Sequence, residues 1–191
     1  MLGDTEAKPA PEPLTHVQAL INTLDRESGA DLLAHAADAQ PWLVAQGLLV
    51  PDRQPTAEEL TGVRQVREAL RAMVVHNAGG RAPTAAELAP LRRAADEATA
   101  RVRLGDDGTV RVDPVGETLA DHLLALLLVV GDAQRDGTWA HLKACANEGC
   151  RWAFYDLSRN HRGTWCEMAT CGNKLKNREF RARRSRRPVS G

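Results

Sequence analysis

Apolar residues recur at helical spacing through most of the first hundred positions. Val17, Leu20, Ile21 and Leu24 follow one another at intervals of one to three residues, Leu60, Val63, Leu70 and Val74 keep a similar phase, and Leu88 and Leu91 mark a third stretch. Each run follows a threonine placed three residues before Glu or Gln: Thr15–Gln18, Thr56–Glu59 and Thr84–Glu87. In such a capping box the two side chains satisfy each other's free backbone N–H groups, so a helix is predicted to open at each threonine. Gly79–Gly80 stops the second helix. Between the first two, "DLLAHAADAQPWLVAQGLL" reads as two short helices, one opening at Asp31 and the next at Pro41, the latter ending at Gly47.

The period then changes. "RVRLGDDGTVRV" alternates Val102 and Leu104, turns at "GDDG" and alternates again through Val110 and Val112, the signature of a β-hairpin. Beyond Pro114, "VGETLADHLLALLLVVGDAQRDG" is a long helix, apolar on most sides and therefore expected at the centre of the body. The predicted fold class is mainly α with one small β-hairpin.

Charge divides the chain. Overall 25 basic and 25 acidic residues balance, but residues 1–140 carry 13 Lys/Arg against 21 Asp/Glu, whereas residues 141–191 carry 12 against 4. An acidic body with a basic end points to a polyanion partner for that end. Six of the seven aromatics (Trp139, Trp152, Phe154, Tyr155, Trp165 and Phe180) also lie from 139 onward. These shifts place a body at 14–140 and a second module at 141–187, with 188–191 as a tail. Pro9, Pro11 and Pro13 make residues 1–13 a disordered leader without the basic start and apolar stretch of a secretory signal. The longest apolar run, "LLALLLVV" at 123–130, is too short to span a bilayer. A soluble, cytoplasmic protein is expected.

All four cysteines fall in the second module, as C-x4-C, fifteen residues, then C-x4-C: Cys145, Cys150, Cys166 and Cys171. Inside a cell, close cysteine pairs act as metal ligands or redox groups more often than as structural disulfides. The alternative here is a reversible disulfide within each pair. Four thiolates suit one tetrahedral Zn2+ and leave no open position for a catalytic water, so the metal is read as structural. The intervening "RWAFYDLSRNHRGTW" offers Trp152, Phe154 and Trp165 as a small core, with a short hairpin turning at "SRNHRG". After Cys171, "GNKLKNREFRARR" favours a helix. Knuckle, hairpin and helix together describe a treble-clef-like finger.

Zinc with four thiolates carries a formal charge of −2, which basic neighbours offset. The segment holds more positive charge than that requires. At helical spacing Lys174, Arg178 and Arg181 share one face, Lys176 and Arg183 lie on another, and Arg184 continues into the tail. Such a helix suits DNA, with Arg159 and Arg162 in the turn adding phosphate contacts. RNA or an acidic protein is the rival partner. In the body, His16, Asn22, Thr23 and Asp25 of the first helix could line a ligand pocket with His122, or the body could form a homodimer. No nucleophile–base pair, phosphate loop or carboxylate dyad marks an enzyme.

The stretch "CANEGCRWAFYDLSRNHRGTWCEMATCGNKLKNREFRAR" resembles the CGNR zinc-finger family. The resemblance rests on the C-x4-C opening, on Phe154, Asp156, Ser158 and Arg159, on Trp165, Cys166 and Met168, and on Cys171, Gly172 and Asn173. "ALINTLD" and "WLVAQGLL" look like the helical ABATE-type domain that precedes this finger in the family, whose assigned role, stress-induced transcription regulation, is inferred. The resemblance implies a zinc-binding transcription regulator. Three positions depart from the family pattern: Lys174 stands where the motif has Arg, and Gly163–Thr164 where two arginines are usual. Lysine keeps the charge but lacks the bidentate fork, which favours phosphate contact over base reading.

Overall fold

The computed structural model describes residues 8–173. Two of the three expected capping boxes form. Thr56 Oγ1 accepts the Glu59 amide at 3.2 Å and Glu59 Oε2 accepts the Thr56 amide at 2.9 Å, opening α3 (Ala57–Asn77). Thr84 and Glu87 repeat this at 3.2 and 2.8 Å, opening α4 (Ala85–Glu97). Thr118 and Asp121 use the same device to open α5 (Leu119–Asp136); aspartate in place of Glu or Gln hid it from the sequence pattern. α3 ends as expected, at Gly79 with φ +85°.

The first helix differs. α1 (Leu14–Ile21) starts before Thr15 and has no side-chain cap. Gln18 lies in the buried stripe Leu14, Val17, Gln18, Ile21 instead of reaching back to the helix start. The two short helices expected between 31 and 47 are one, α2 (Ala36–Ala45), which runs through Pro41 and terminates before Gly47 at φ +67°. Asp31 opens no helix there because its carboxylate is engaged: Oδ1 accepts the Leu33 amide at 2.9 Å, and both oxygens bind Arg67 at 2.6 and 2.9 Å.

The hairpin forms in the register the alternation implies. β1 (Ala100–Leu104) pairs antiparallel with β2 (Val110–Pro114), Val102 opposite Val112 and Leu104 opposite Val110. Packing is shared between α3 and α5. α3 touches α1, α4 and the C-terminal strands, and buries Leu60, Val63, Val66, Ala69, Leu70 and Val74. α5, expected at the centre, packs on α1, α4, β2 and the segment Thr138–His141 and buries the apolar stripe Leu119, Leu123, Leu126, Val130 and Ala133, while much of the rest of its surface is half-buried. Apolar composition all round does not supply a partner on every side.

After a 3-10 turn (Thr138–His141), β3 (Leu142–Ala144) pairs with β4 (Ala153–Tyr155), Leu142 opposite Tyr155 and Ala144 opposite Ala153. Leu142, Ala144, Ala153 and Tyr155 join the same apolar core as Val17, Leu20 and Leu70. The compositional change near residue 140 is therefore not a break in packing. The leader is not free over the stretch described. Lys8 O accepts the Tyr155 amide at 3.0 Å, and Ala10, 7 % exposed, donates its amide to Gln18 Oε1 at 2.6 Å. Its prolines leave few amides to satisfy, and β4 offered an unpaired edge for Lys8 to complete. Among the described residues, no helix is long and apolar enough to cross a membrane.

Candidate metal centre and basic surface

Each cysteine is placed by backbone geometry. Cys145 follows β3 directly, and its amide donates to Trp152 O at 2.9 Å, extending the β3–β4 pairing to the first ligand. The x4 loop then closes on Asn147, whose carbonyl accepts the amides of both Cys150 and Arg151 at 2.9 Å. Arg151 takes φ +52°, so the chain reverses immediately beyond the second ligand. The first knuckle is thus the turn of the β3–β4 hairpin. The sequence reading expected a hairpin between the cysteine pairs, with both strands in 151–165. β4 does lie there, but its partner precedes Cys145, and a three-residue strand is too short for alternation to reveal.

The segment from 156 to 164 is instead a loop built on one carboxylate. Asp156, 3 % exposed, accepts Lys143 Nζ at 2.8 Å, the Gly163 amide at 2.7 Å, and the Ser158 amide and hydroxyl at 3.1 and 2.6 Å. Lys143 Nζ also donates to His161 O at 2.5 Å. Burial alone would raise the Asp156 carboxyl, but these donors outweigh it and hold it far below the usual carboxylate range. Such a buried, fully partnered pair rigidifies a loop whatever its net worth to stability. The loop returns beside the knuckle, the Ala146 amide donating to Thr164 O at 3.0 Å, and so delivers Cys166.

Cys171 stands on a short π-helical turn, Met168–Gly172, closed by the Gly172 amide on Glu167 O at 3.2 Å. The helix expected after Cys171 falls on residues that lie, beyond Asn173, outside the described ones. A Cβ on Gly172 would sit 2.4 Å from Met168 Sδ and 3.2 Å from Trp165 Cδ1, so the glycine permits the close packing of Trp165 and Met168 beside the second pair.

The four Sγ atoms lie within 4.8 Å of one another, and Cys150 Sγ is 3.7 Å from Cys166 Sγ. Zinc–sulfur bonds of about 2.3 Å around a tetrahedron require sulfur separations of about 3.8 Å. The chemistry of the cluster agrees. Without a cation, hydrogen bonds from the Cys150 and Cys166 thiols pull Cys145 down, and Cys145 in turn pushes Cys150 and Cys166 up. Four thiolates can coexist at this spacing only around a divalent ion. Cys145, Cys150, Cys166 and Cys171 are positioned to bind one zinc ion. Asn147 Nδ2 at 3.6 Å from Cys171 Sγ provides a hydrogen bond to the ligand set.

Residues 141–184 match the CGNR zinc-finger family, and residues 16–144 match the family described as ABATE, putative stress-induced transcription regulator. The chain belongs to the ABATE family. Among curated proteins none matches it.

The CGNR finger is bolted to the ABATE domain by polar side chains occupying core positions. Asn22 binds β4 as a backbone would, its Oδ1 accepting the Ala153 amide at 2.7 Å and its Nδ2 donating to Ala153 O at 2.9 Å. Gln18 Nε2 donates to the same carbonyl at 3.2 Å and to Lys8 O at 3.1 Å. Asn77 Nδ2 reaches Trp139 O at 2.8 Å and Leu142 O at 3.0 Å, and Arg71 Nη1 reaches Arg151 O at 3.0 Å. Gln18 is read from sequence only as a capping residue, and Arg67, Arg71 and Asn77 are not singled out there. Their signal was position: Gln18 and Asn22 stand four apart in the apolar phase of α1, and Arg67 and Arg71 in that of α3.

The residues expected to line a pocket on the first helix are engaged elsewhere. Asn22 serves the finger; His16 Nδ1 meets Gln46 Oε1 at 3.0 Å; Thr23 Oγ1 donates to Leu20 O at 2.9 Å; Asp25 organises its own loop through Glu27 and Ser28. His122 is half-buried on α5. Of the expected nucleic-acid contacts, Arg159 and Arg162 are exposed on the Asp156 loop. Lys174, Lys176, Arg178, Arg181, Arg183 and Arg184 lie outside the described residues.

Proposed function

We propose that the protein is a transcription regulator that binds duplex DNA through its CGNR finger and the basic segment after Cys171, without catalytic activity of its own. The observation that carries this reading is the loop 156–164. Buried Asp156 and the metal ligands on either side hold it fixed, while Arg159 and Arg162 project into solvent. A fixed loop bearing free guanidinium groups suits phosphate contact at little entropic cost. Residues 174–191 add eight Lys/Arg against one acidic residue.

Selection of duplex DNA from a random pool tests the reading: the zinc-loaded protein enriches a recurring motif. Arg159→Ala and Arg162→Ala each weaken binding across all sequences and reduce the slope of log K against log salt by about 0.9. A pool that never converges, with single-stranded RNA competing better than duplex, favours RNA. Non-convergence together with salt-sensitive capture of an acidic polypeptide favours a protein-docking finger.

A further inference from the structure

A cavity of about 910 Å3 lies where α3, the start of α4 and the first knuckle of the finger meet. Its floor is apolar, formed by Ala69, Ala72 and Val75 of α3 and by Pro83, Ala86 and Pro90 opposite. Its rim is cationic, with five arginines against three glutamates. The glutamates are already engaged. Glu68 bridges Arg67 and Arg71 at 2.8 and 3.0 Å, Glu87 is held by both terminal nitrogens of Arg81 at 2.5 and 2.8 Å, and Glu148 stands 3.6 Å from Arg151.

Arg64 donates only to Thr61 Oγ1, at 3.1 Å, and neither it nor Arg26 makes an ion pair among the described residues. Burial lowers the Arg71 guanidinium from its ordinary value against the pull of Glu68, and the like charges of Arg67 and Arg26 add to the lowering. Crowded guanidinium groups over an apolar floor are what an anion with an apolar body would relieve, and volumes of about 300–1,000 Å3 suit small-molecule ligands.

We propose that this cavity binds a small organic anion, a carboxylate or phosphate on an apolar body, held between Arg26 and Arg64 of the ABATE domain and Arg151 of the finger. Arg151 directly follows the ligand Cys150 and is tied to Arg71 through its carbonyl, so an occupant spans the junction and favours the docked knuckle over any other arrangement. That this regulates DNA binding rests on the function proposed above; the binding itself does not.

The experiment is calorimetric titration of zinc-loaded full-length protein with phenyl phosphate and with benzoate, against inorganic phosphate and benzamide as controls. At least one organic anion binds saturably at one site per chain, and both controls bind at least about ten-fold more weakly. Arg64→Ala, a rim change, weakens the organic anion by about ten-fold, and Ala72→Phe, which fills the floor, abolishes it. Should Ala72→Phe not fold, Arg64→Ala decides alone. Hydrogen exchange, measured with whichever of phenyl phosphate and benzoate binds, slows at the Arg151 amide as well as in α3. The proposal is overturned if neither organic anion binds, if inorganic phosphate binds as tightly, if Arg64→Ala binds unchanged, or if Arg151 exchange does not respond. No readout uses DNA, so a protein that takes phenyl phosphate but selects no duplex keeps the pocket and loses the regulator reading.

Discussion

The molecule holds two antiparallel hairpins made by opposite means. β1–β2 has five-residue strands, strict alternation and a glycine-rich turn, yet Val102, Leu104 and Val110 are 68, 73 and 65 % exposed. β3–β4 has three-residue strands and no visible alternation, yet all six of its residues are buried. Alternation reports a backbone geometry, whereas burial depends on what covers the strands. An isolated two-stranded hairpin is marginal in water. β1–β2 leans mainly on α5, through β2, while β3–β4 has α1 and α3 against it, the leader at its edge and the four-cysteine site at its turn. Its stability comes from neighbours distant in sequence.

The largest expected effect follows from that dependence. Because the finger's strands share a core with the body, removing zinc should loosen both together. Structural zinc contributes on the order of 10 kcal/mol in isolated fingers. Loss of even about 5 kcal/mol would lower Tm by roughly 10–20 °C in a chain of this size. Chelation, or Cys166→Ser, should release one zinc per chain and shift a single calorimetric transition downward. Two transitions with the larger one unmoved would make the finger an autonomous appendage and break the comparison.

Asp156→Asn comes next. It leaves Lys143, 7 % exposed, without its carboxylate, and removing one partner of a buried pair costs about 3–5 kcal/mol. The pH dependence has a definite sign. The folded carboxyl is held far below the unfolded value of about 3.9, so its contribution is complete above that value and is lost as the pH falls towards the folded pKa. The stability difference between wild type and Asp156→Asn, from urea denaturation, should be constant above about pH 5 and narrow below about pH 4. A difference independent of pH would mean that the carboxylate's charge is not what holds the loop.

Much of this was legible in the sequence. Thr56–Glu59, Thr84–Glu87, the Gly79 stop, the β1–β2 register and the four-cysteine cluster are governed by contacts within a few residues, and local patterns report those. What escaped was long-range. The Thr15–Gln18 pair matches the capping pattern as well as the two that form, but Gln18 found partners at Lys8, Ala10 and Ala153. Likewise Asp31 precedes a helical-looking run, but Arg67, thirty-six residues away, takes its carboxylate. The partner of β4 was hidden for the same reason, since the alternation of three residues is no pattern at all. Polar residues in an apolar helical phase were the unused signal in α1 and α3.

Asn22→Ala tests that signal. It removes both bonds to Ala153 and strands the buried Ala153 amide, while the carbonyl keeps Gln18 Nε2, for a cost of about 1–3 kcal/mol. The damage should localise at β4, with faster hydrogen exchange there and little change in α4. Uniform exchange across the chain would show Asn22 to be an ordinary core residue rather than the clasp between body and finger.

The smallest effect belongs to the hairpin that was easiest to predict. Leu104→Ser changes a side chain that is 73 % exposed and opposite another exposed residue, Val110. If water is its surrounding in solution, the change alters stability by no more than about 0.5 kcal/mol. It also leaves the sedimentation profile untouched. Leu142→Ala, at the buried counterpart position, costs about 2–5 kcal/mol, so the pair measures directly how much of a strand's worth lies in its cover. A Leu104→Ser protein that lost as much stability as Leu142→Ala, and did so more steeply at low protein concentration, would show that β1–β2 is covered after all, by a second copy of the chain. The contrast between the hairpins would then reduce to one between cover from within and cover from without.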